Sequence, residues 1–127
     1  MISMIERVVV PVLDEAGEAS QLSPHFGRAP LFAIVEFSET GQIGSIQFAP
    51  NRSEHFGGQG RPPDILLSLS PNTVITFGMG PRALRRFQAE GVAVMQATSH
   101  HLGEVLVAFK NNRLMELTEG CREARHK

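Results

Sequence analysis

The sequence predicts an α/β fold: one domain on a five-stranded mixed sheet with about three helices. Short Val- and Ile-rich runs recur along the chain, apolar residues at helical spacing follow the later ones, and 127 residues suit a single core. Apolar residues make up 42% and charged residues 20%, the balance of a globular chain.

Arg7 to Leu13 reads as a buried strand, rich in valine and interrupted by Pro11. Pro11 has no amide to donate, so a bulge or an edge-facing position is expected there. Asp14 to Pro30 is a long polar connection. Leu31 to Phe37 is a second strand, Ser38 to Gln42 a turn carrying Gly41, and Ile43 to Ala49 the returning arm of a hairpin. Asn51 to Arg61 is a glycine-rich loop. Pro62 and Pro63 suit a helix start, with Asp64 in the first turn and Ile65 to Leu69 as the body.

Asn72 to Phe77 is a β-branched strand, and Gly78-Met79-Gly80 turns the chain into a helix opened by Pro81. Ala83, Leu84 and Phe87 share one face of that helix, and Gly91 is its expected stop. Val92 to Met95 is the fifth strand. Leu102, Val105, Leu106 and Phe109 then mark a last helix, with Thr98 or Ser99 as its expected cap.

The order β-β-β-α-β-α-β-α is satisfied by a meander followed by two right-handed parallel crossovers, giving the sheet order 3-2-1-4-5. Such an arrangement resembles a ribonuclease-H-like sheet. The whole chain, 1–127, is then one domain with a core from about residue 7 to 112 and a short C-terminal tail. Strands one, three, four and five run the same way, so the loops after them emerge together where open α/β sheets bind ligands.

Charge excludes several classes. Twelve basic residues against 13 acidic, with no like-charge block, argue against nucleic acid and membrane surfaces as partners. The apolar run Val8 to Leu13 is too short to span a bilayer, and no secretory leader is recognisable. The single cysteine, Cys121, rules out an internal disulfide and suits a cytoplasmic protein. One thiol also cannot supply the four thiolates of a conventional iron–sulfur site, so a bound cluster would have few protein ligands or arrive preassembled.

The predicted loop edge gathers Ser23-Pro24-His25-Phe26-Gly27-Arg28-Ala29-Pro30, His55-Phe56-Gly57-Gly58-Gln59-Gly60, Gly78-Met79-Gly80-Pro81-Arg82-Ala83, and His100 with His101. Gly78 and Gly80 let backbone approach a ligand, and the helix from Pro81 directs free amides toward it. Arg28 and Arg82 add positive charge. Each residue also has a plainer role: His25 in ordering its loop, the arginines in surface ion pairs, His100 and His101 in helix capping, Phe26 as a core anchor, Cys121 as an inert thiol.

Val10-Pro11-Val12, the stretch Ser23 to Pro30, the glycine-rich loop from His55, Gly78 to Leu84 and the late Cys121 together resemble the dinitrogenase iron–molybdenum cofactor biosynthesis family, the NifX-like proteins that include the C-terminal part of NifB. The resemblance runs from about Val8 to Cys121. It implies a non-enzymatic accessory protein that binds or carries an iron–sulfur-based cofactor and exchanges it with donor and acceptor proteins. It further implies cofactor contacts at Ser23, His25, Phe26, Gly27, Arg28, Gly57, Gly58, Gly78, Gly80 and Arg82, with His25, His55 and Cys121 as metal ligands. A monomer or weak homo-oligomer is expected.

Other readings stand beside it. A small-anion or phosphate site would use the same Gly78–Gly80 turn, and a regulatory domain would bind a protein through the loop edge without metal. A dinucleotide site lacks the acidic residue at the end of the next strand, where Met95, Gln96 and Ala97 stand. A two-metal nuclease would need carboxylates where the first strand has Val8, Val9 and Val10. Triad hydrolysis has no nucleophile elbow, and Cys121 has no identifiable base.

Overall fold

Val8, Val9, Val10 and Val12 are all inaccessible to solvent, so β1 (Glu6–Val12) must be covered on both faces. The computed structural model, which describes residues 6–51 and 62–118, shows how that is achieved. The chain continues through a 3-10 turn (Gly17–Ala19), β2 (Leu31–Phe37), β3 (Ile43–Pro50), α1 (Pro62–Leu67), β4 (Thr73–Thr76), α2 (Pro81–Ala89), β5 (Ala93–Gln96) and α3 (Leu102–Lys110). The sheet order is β3-β2-β1-β4-β5, as the sequence predicts. β1–β2 and β2–β3 are antiparallel, whereas β1–β4 and β4–β5 are parallel.

Alternation along the strands divides the core in two. Val8, Val10 and Val12 face Leu102, Val105 and Leu106 of α3, together with Ala33, Val35 and Ile75. Val9 faces the other side with Phe32, Val74 and Val94, under Leu66 of α1 and Leu84 and Phe87 of α2. Each fully buried Leu or Phe contributes roughly 1.5–3 kcal/mol over its exposed state. Pro11 stays in register opposite Phe32 without a bulge. Pairing with β4 covers Val8 and Val9 only, so the absent Pro11 amide breaks no parallel ladder, and its carbonyl accepts from the Ser23 amide at 3.0 Å.

α2 stops as expected. Gly91 takes φ +77°, the Val92 amide bonds back to Phe87 O at 2.9 Å, and the Gly91 amide bonds to Gln88 O at 3.1 Å. Two helix boundaries differ from the sequence expectation. α1 ends at Leu67 rather than Leu69, because Leu69 and Ser70 close tighter turns onto Leu66 and Leu67, and Ser70 has φ +59°. The N-cap of α3 is His101, not Thr98 or Ser99. His101 is held extended by pairing with Gln21, so the helix cannot begin earlier.

The two margins of the sheet differ. Beyond β5, the Gln96 amide bonds to Met115 O and the Leu117 amide to Val94 O, each at 2.8 Å, so residues 115–117 cover that edge. No described residue pairs with the outer side of β3. Among the described residues, no helix is long and apolar enough to cross a membrane.

Candidate functional site

The connection after β1 is stitched back onto the sheet edge. Leu13 donates to Gln21 O at 2.8 Å, Leu22 to His100 O at 2.8 Å, and Leu102 to Ser20 O at 2.9 Å. Residues 20–22 therefore lie between the end of β1 and the segment that leads into α3. These bonds pin the start of the Ser23–Pro30 stretch.

Within that stretch, Ser23 is buried and its hydroxyl closes a local turn, donating to His25 O at 2.9 Å and accepting from the His25 amide at 3.2 Å. His25 and Arg28 are exposed, and Gly27 is half-buried. Phe26 points into the core, 6% exposed, with its ring edge-on to Phe87 at 5.7 Å between centroids. The far end is held from β3: the Asn51 amide donates to Pro30 O at 3.0 Å, and its side chain donates to Ala29 O at 2.9 Å and Gly27 O at 3.3 Å. Asn51 is a residue the sequence reading left without a role. No periodicity or motif marks it, because its partners are carbonyls more than twenty positions away.

The turn after β4 lies beside this loop, since Met79 and Phe26 share one apolar cluster. Gly80 has φ −65°, ψ 161° and caps α2 without a side-chain bond. Pro81 brings no amide, and the Leu84 amide already bonds to Gly80 O at 3.0 Å, so the uncapped amides there belong to Arg82 and Ala83. Among the described residues, a Cβ at Gly78 or Gly80 would meet nothing within 4 Å. Neither glycine is thus required by a left-handed backbone or by internal crowding; both leave room on the outer side of the turn. Arg82 is exposed, and among the described residues neither Arg82 nor Arg28 forms a salt bridge.

After β5, the His100 ring lies 4.6 Å from the Phe77 ring, tilted by 41°. Both His100 and His101 are exposed; His101 is the N-cap of α3 and His100 precedes it. Ser99 accepts from the His101 amide at 3.1 Å and bonds to the Glu104 carboxylate. Loops after β1, β4 and β5 and the first residue after β3 are therefore joined at one edge. His55, Gly57, Gly58 and Cys121 lie outside the described residues. Among the described residues, no group of three or more His, Cys, Asp or Glu side chains is placed to hold a metal ion.

Comparison with known proteins agrees with this architecture. An uncharacterised protein of Methanocaldococcus jannaschii, MJ0580, is 30% identical over 110 residues, 85% of this chain and 88% of the relative. The crystal structure of PH0822 superposes with a TM-score of 0.73 at 25% identity, covering 88% of this chain and 96% of the other. The apo form of the orange protein from Desulfovibrio gigas gives 0.72 at 19% identity, over 92% and 97% of the two chains, a likeness of fold. The profile of the family described as dinitrogenase iron-molybdenum cofactor matches residues 7–112. The chain belongs to that family.

Proposed function

We propose that this chain is a non-enzymatic accessory protein that binds a preassembled iron–sulfur-based cluster of the iron–molybdenum type as cargo. The cargo rests against the Ser23–Pro30 loop and the Gly78–Arg82 turn and passes between donor and acceptor proteins in the cytoplasm. The observation that carries this reading is that, among the described residues, nothing requires glycine at Gly78 and Gly80 and no side chain caps α2. Backbone amides and open space there suit an anionic, sulfide-rich surface. His25 supplies an accessible imidazole, Arg28 and Arg82 supply charge, and Ser23, Phe26 and Gly27 hold the loop in place. His55 and Cys121 complete the proposed ligand set, and Gly57 and Gly58 the proposed loop contacts.

The described residues fit a cargo with few protein ligands better than a resident site enclosed by side chains. Protein purified without oxygen should retain iron, molybdenum and sulfide, or take up a cluster on anaerobic reconstitution, followed by visible absorption. His25→Ala should lower the retained metal at least severalfold while circular dichroism stays unchanged. Reconstitution that leaves no chromophore on the protein after gel filtration refutes the reading. The uncapped α2 end also favours a second reading, a small-anion site; phosphate binding by calorimetry in cluster-free protein would then be the primary activity.

A further inference from the structure

Burying a polar side chain is costly unless it is hydrogen-bonded, so each one kept in a core has a partner to hold. Among the described residues, five polar side chains are buried: Ser20, Ser23, Asn51, Thr73 and Thr76. Ser20 accepts from the Ala16 amide at 2.8 Å, and Thr73 donates to the Glu6 carboxylate at 2.7 Å. The other three hold backbone carbonyls of the candidate site. Ser23 donates to His25 O at 2.9 Å, Asn51 to Gly27 O at 3.3 Å, and Thr76 to Gly78 O at 3.4 Å. Thr76 follows Val74 on the face of β4 whose apolar cluster also holds Phe26 and Met79.

A trans peptide sets its N–H opposite its C=O, and none of the described peptide bonds is cis. Turning those carbonyls toward buried side chains therefore turns the amides of Phe26, Arg28 and Met79 the other way. Among the described residues, none of the three amides finds an acceptor. Arg28 is exposed, so water can satisfy its amide, but Phe26 and Met79 are only 6% and 5% exposed. An amide without an acceptor on a buried residue is rare in a folded chain and calls for a partner. We infer that Ser23, Asn51 and Thr76 are positioning residues, which aim the Phe26, Arg28 and Met79 amides at the anionic surface of the cargo.

The inference rests on the carrier reading above and deepens it by naming what is recognised: sulfur or oxygen acceptors on an anion. Gly78 and Gly80 flank the Met79 amide, and the space that a Cβ would take at either is open among the described residues, so an acceptor atom can approach. The Ser23–Pro30 loop supplies the other two amides, and the shared cluster of Phe26 and Met79 keeps the two donor groups side by side. Main-chain donors carry no titrating proton and form no bond to metal. A cargo held by them can leave for an acceptor protein without ligand exchange at those contacts.

The test is an amide-resolved NMR titration of the cluster-free full chain with sulfate and with thiosulfate, to about 100 mM. Both are dianions; one presents oxygen and the other a terminal sulfur. The amide protons of Phe26, Arg28 and Met79 should move downfield on one shared curve. Thr76→Val keeps the shape of the side chain and removes its hydroxyl; it should weaken binding about tenfold, and Thr76→Ser should restore it. Ser23→Ala is the parallel variant should Thr76→Val fail to fold, with urea midpoints verifying each. Arg28→Gln keeps the amide and should weaken binding less than Thr76→Val. Three amides unmoved by either dianion, or wild-type binding in the folded Thr76→Val or Ser23→Ala variant, overturns the inference. So does a larger loss in Arg28→Gln than in Thr76→Val, since the guanidinium would then read the anion. Failure of wild type to take up a cluster refutes the carrier reading instead, and the dianion titration then decides the amide assignment by itself.

Discussion

Asn51→Ala tests whether the Ser23–Pro30 loop is held from the end of β3. Asn51 is 4% exposed, and its side chain donates to Ala29 O at 2.9 Å and to Gly27 O at 3.3 Å. The bond to Ala29 is buried, so alanine strips that carbonyl of a donor with no water to replace it. Such a loss costs about 1–3 kcal/mol, and the longer, half-buried bond to Gly27 adds a few tenths, giving about 2 kcal/mol in total. With a urea slope of about 1.5 kcal/mol/M, the unfolding midpoint should fall by about 1.3 M while the slope stays constant. Asn51→Asp should fall further, since it keeps the volume but sets a carboxylate against two carbonyl oxygens. Amide exchange at residues 25–29 should quicken in both variants. A midpoint for Asn51→Ala within about 0.3 M of wild type would show that the loop is held by something else.

Phe26→Ala empties a site packed edge-on against Phe87 and should destabilise by about 3–5 kcal/mol in the same titration, refuting its role as anchor if the loss is under about 1 kcal/mol. Gly91→Ala meets no atom of the described residues within 4 Å but forces a side chain onto φ +77°, so the cost is backbone alone, about 1 kcal/mol, read as a drop of roughly 4 °C in Tm. Gly78→Ala and Gly80→Ala should leave stability within about 0.5 kcal/mol of wild type, because no described residue lies within 4 Å of either new Cβ. If the turn seats the cluster, both should nevertheless lower the iron retained after reconstitution; stable variants with full metal content would remove the turn from the site.

Most of the framework was legible because it rests on short-range pattern. The run Val8 to Val12, buried on both sides, announces a central strand, and β2 falls on Leu31–Phe37 as read. The two antiparallel and two parallel pairings followed from the order of strands and helices, a meander and then two right-handed crossovers, which yielded the order 3-2-1-4-5. Failures came where distant backbone pairs override local preference. Ser99 is a good capping residue, but the bridge between Gln21 and His101 moves the start of α3 past it. Residues 115–117 have little strand character, and β5 recruits them all the same. At the candidate site, the glycines and the exposed His25 were visible in the sequence, whereas the fastening of the loop by Asn51 was not. Such a contact has no period and no fixed spacing, so only the folded chain reveals it.

The position of β1 also bears on how the protein is made. As the chain leaves the ribosome, the meander β1–β2–β3 is complete by Pro50, while β4, the other neighbour of β1, begins only at Thr73. Until then one flank of the most apolar strand has its hydrogen-bonding groups open and both faces short of their helices, since α1, α2 and α3 all emerge later. The nascent half-sheet is therefore the form in which this chain is most exposed to aggregation, and slow synthesis between residues 50 and 76 would lengthen that interval.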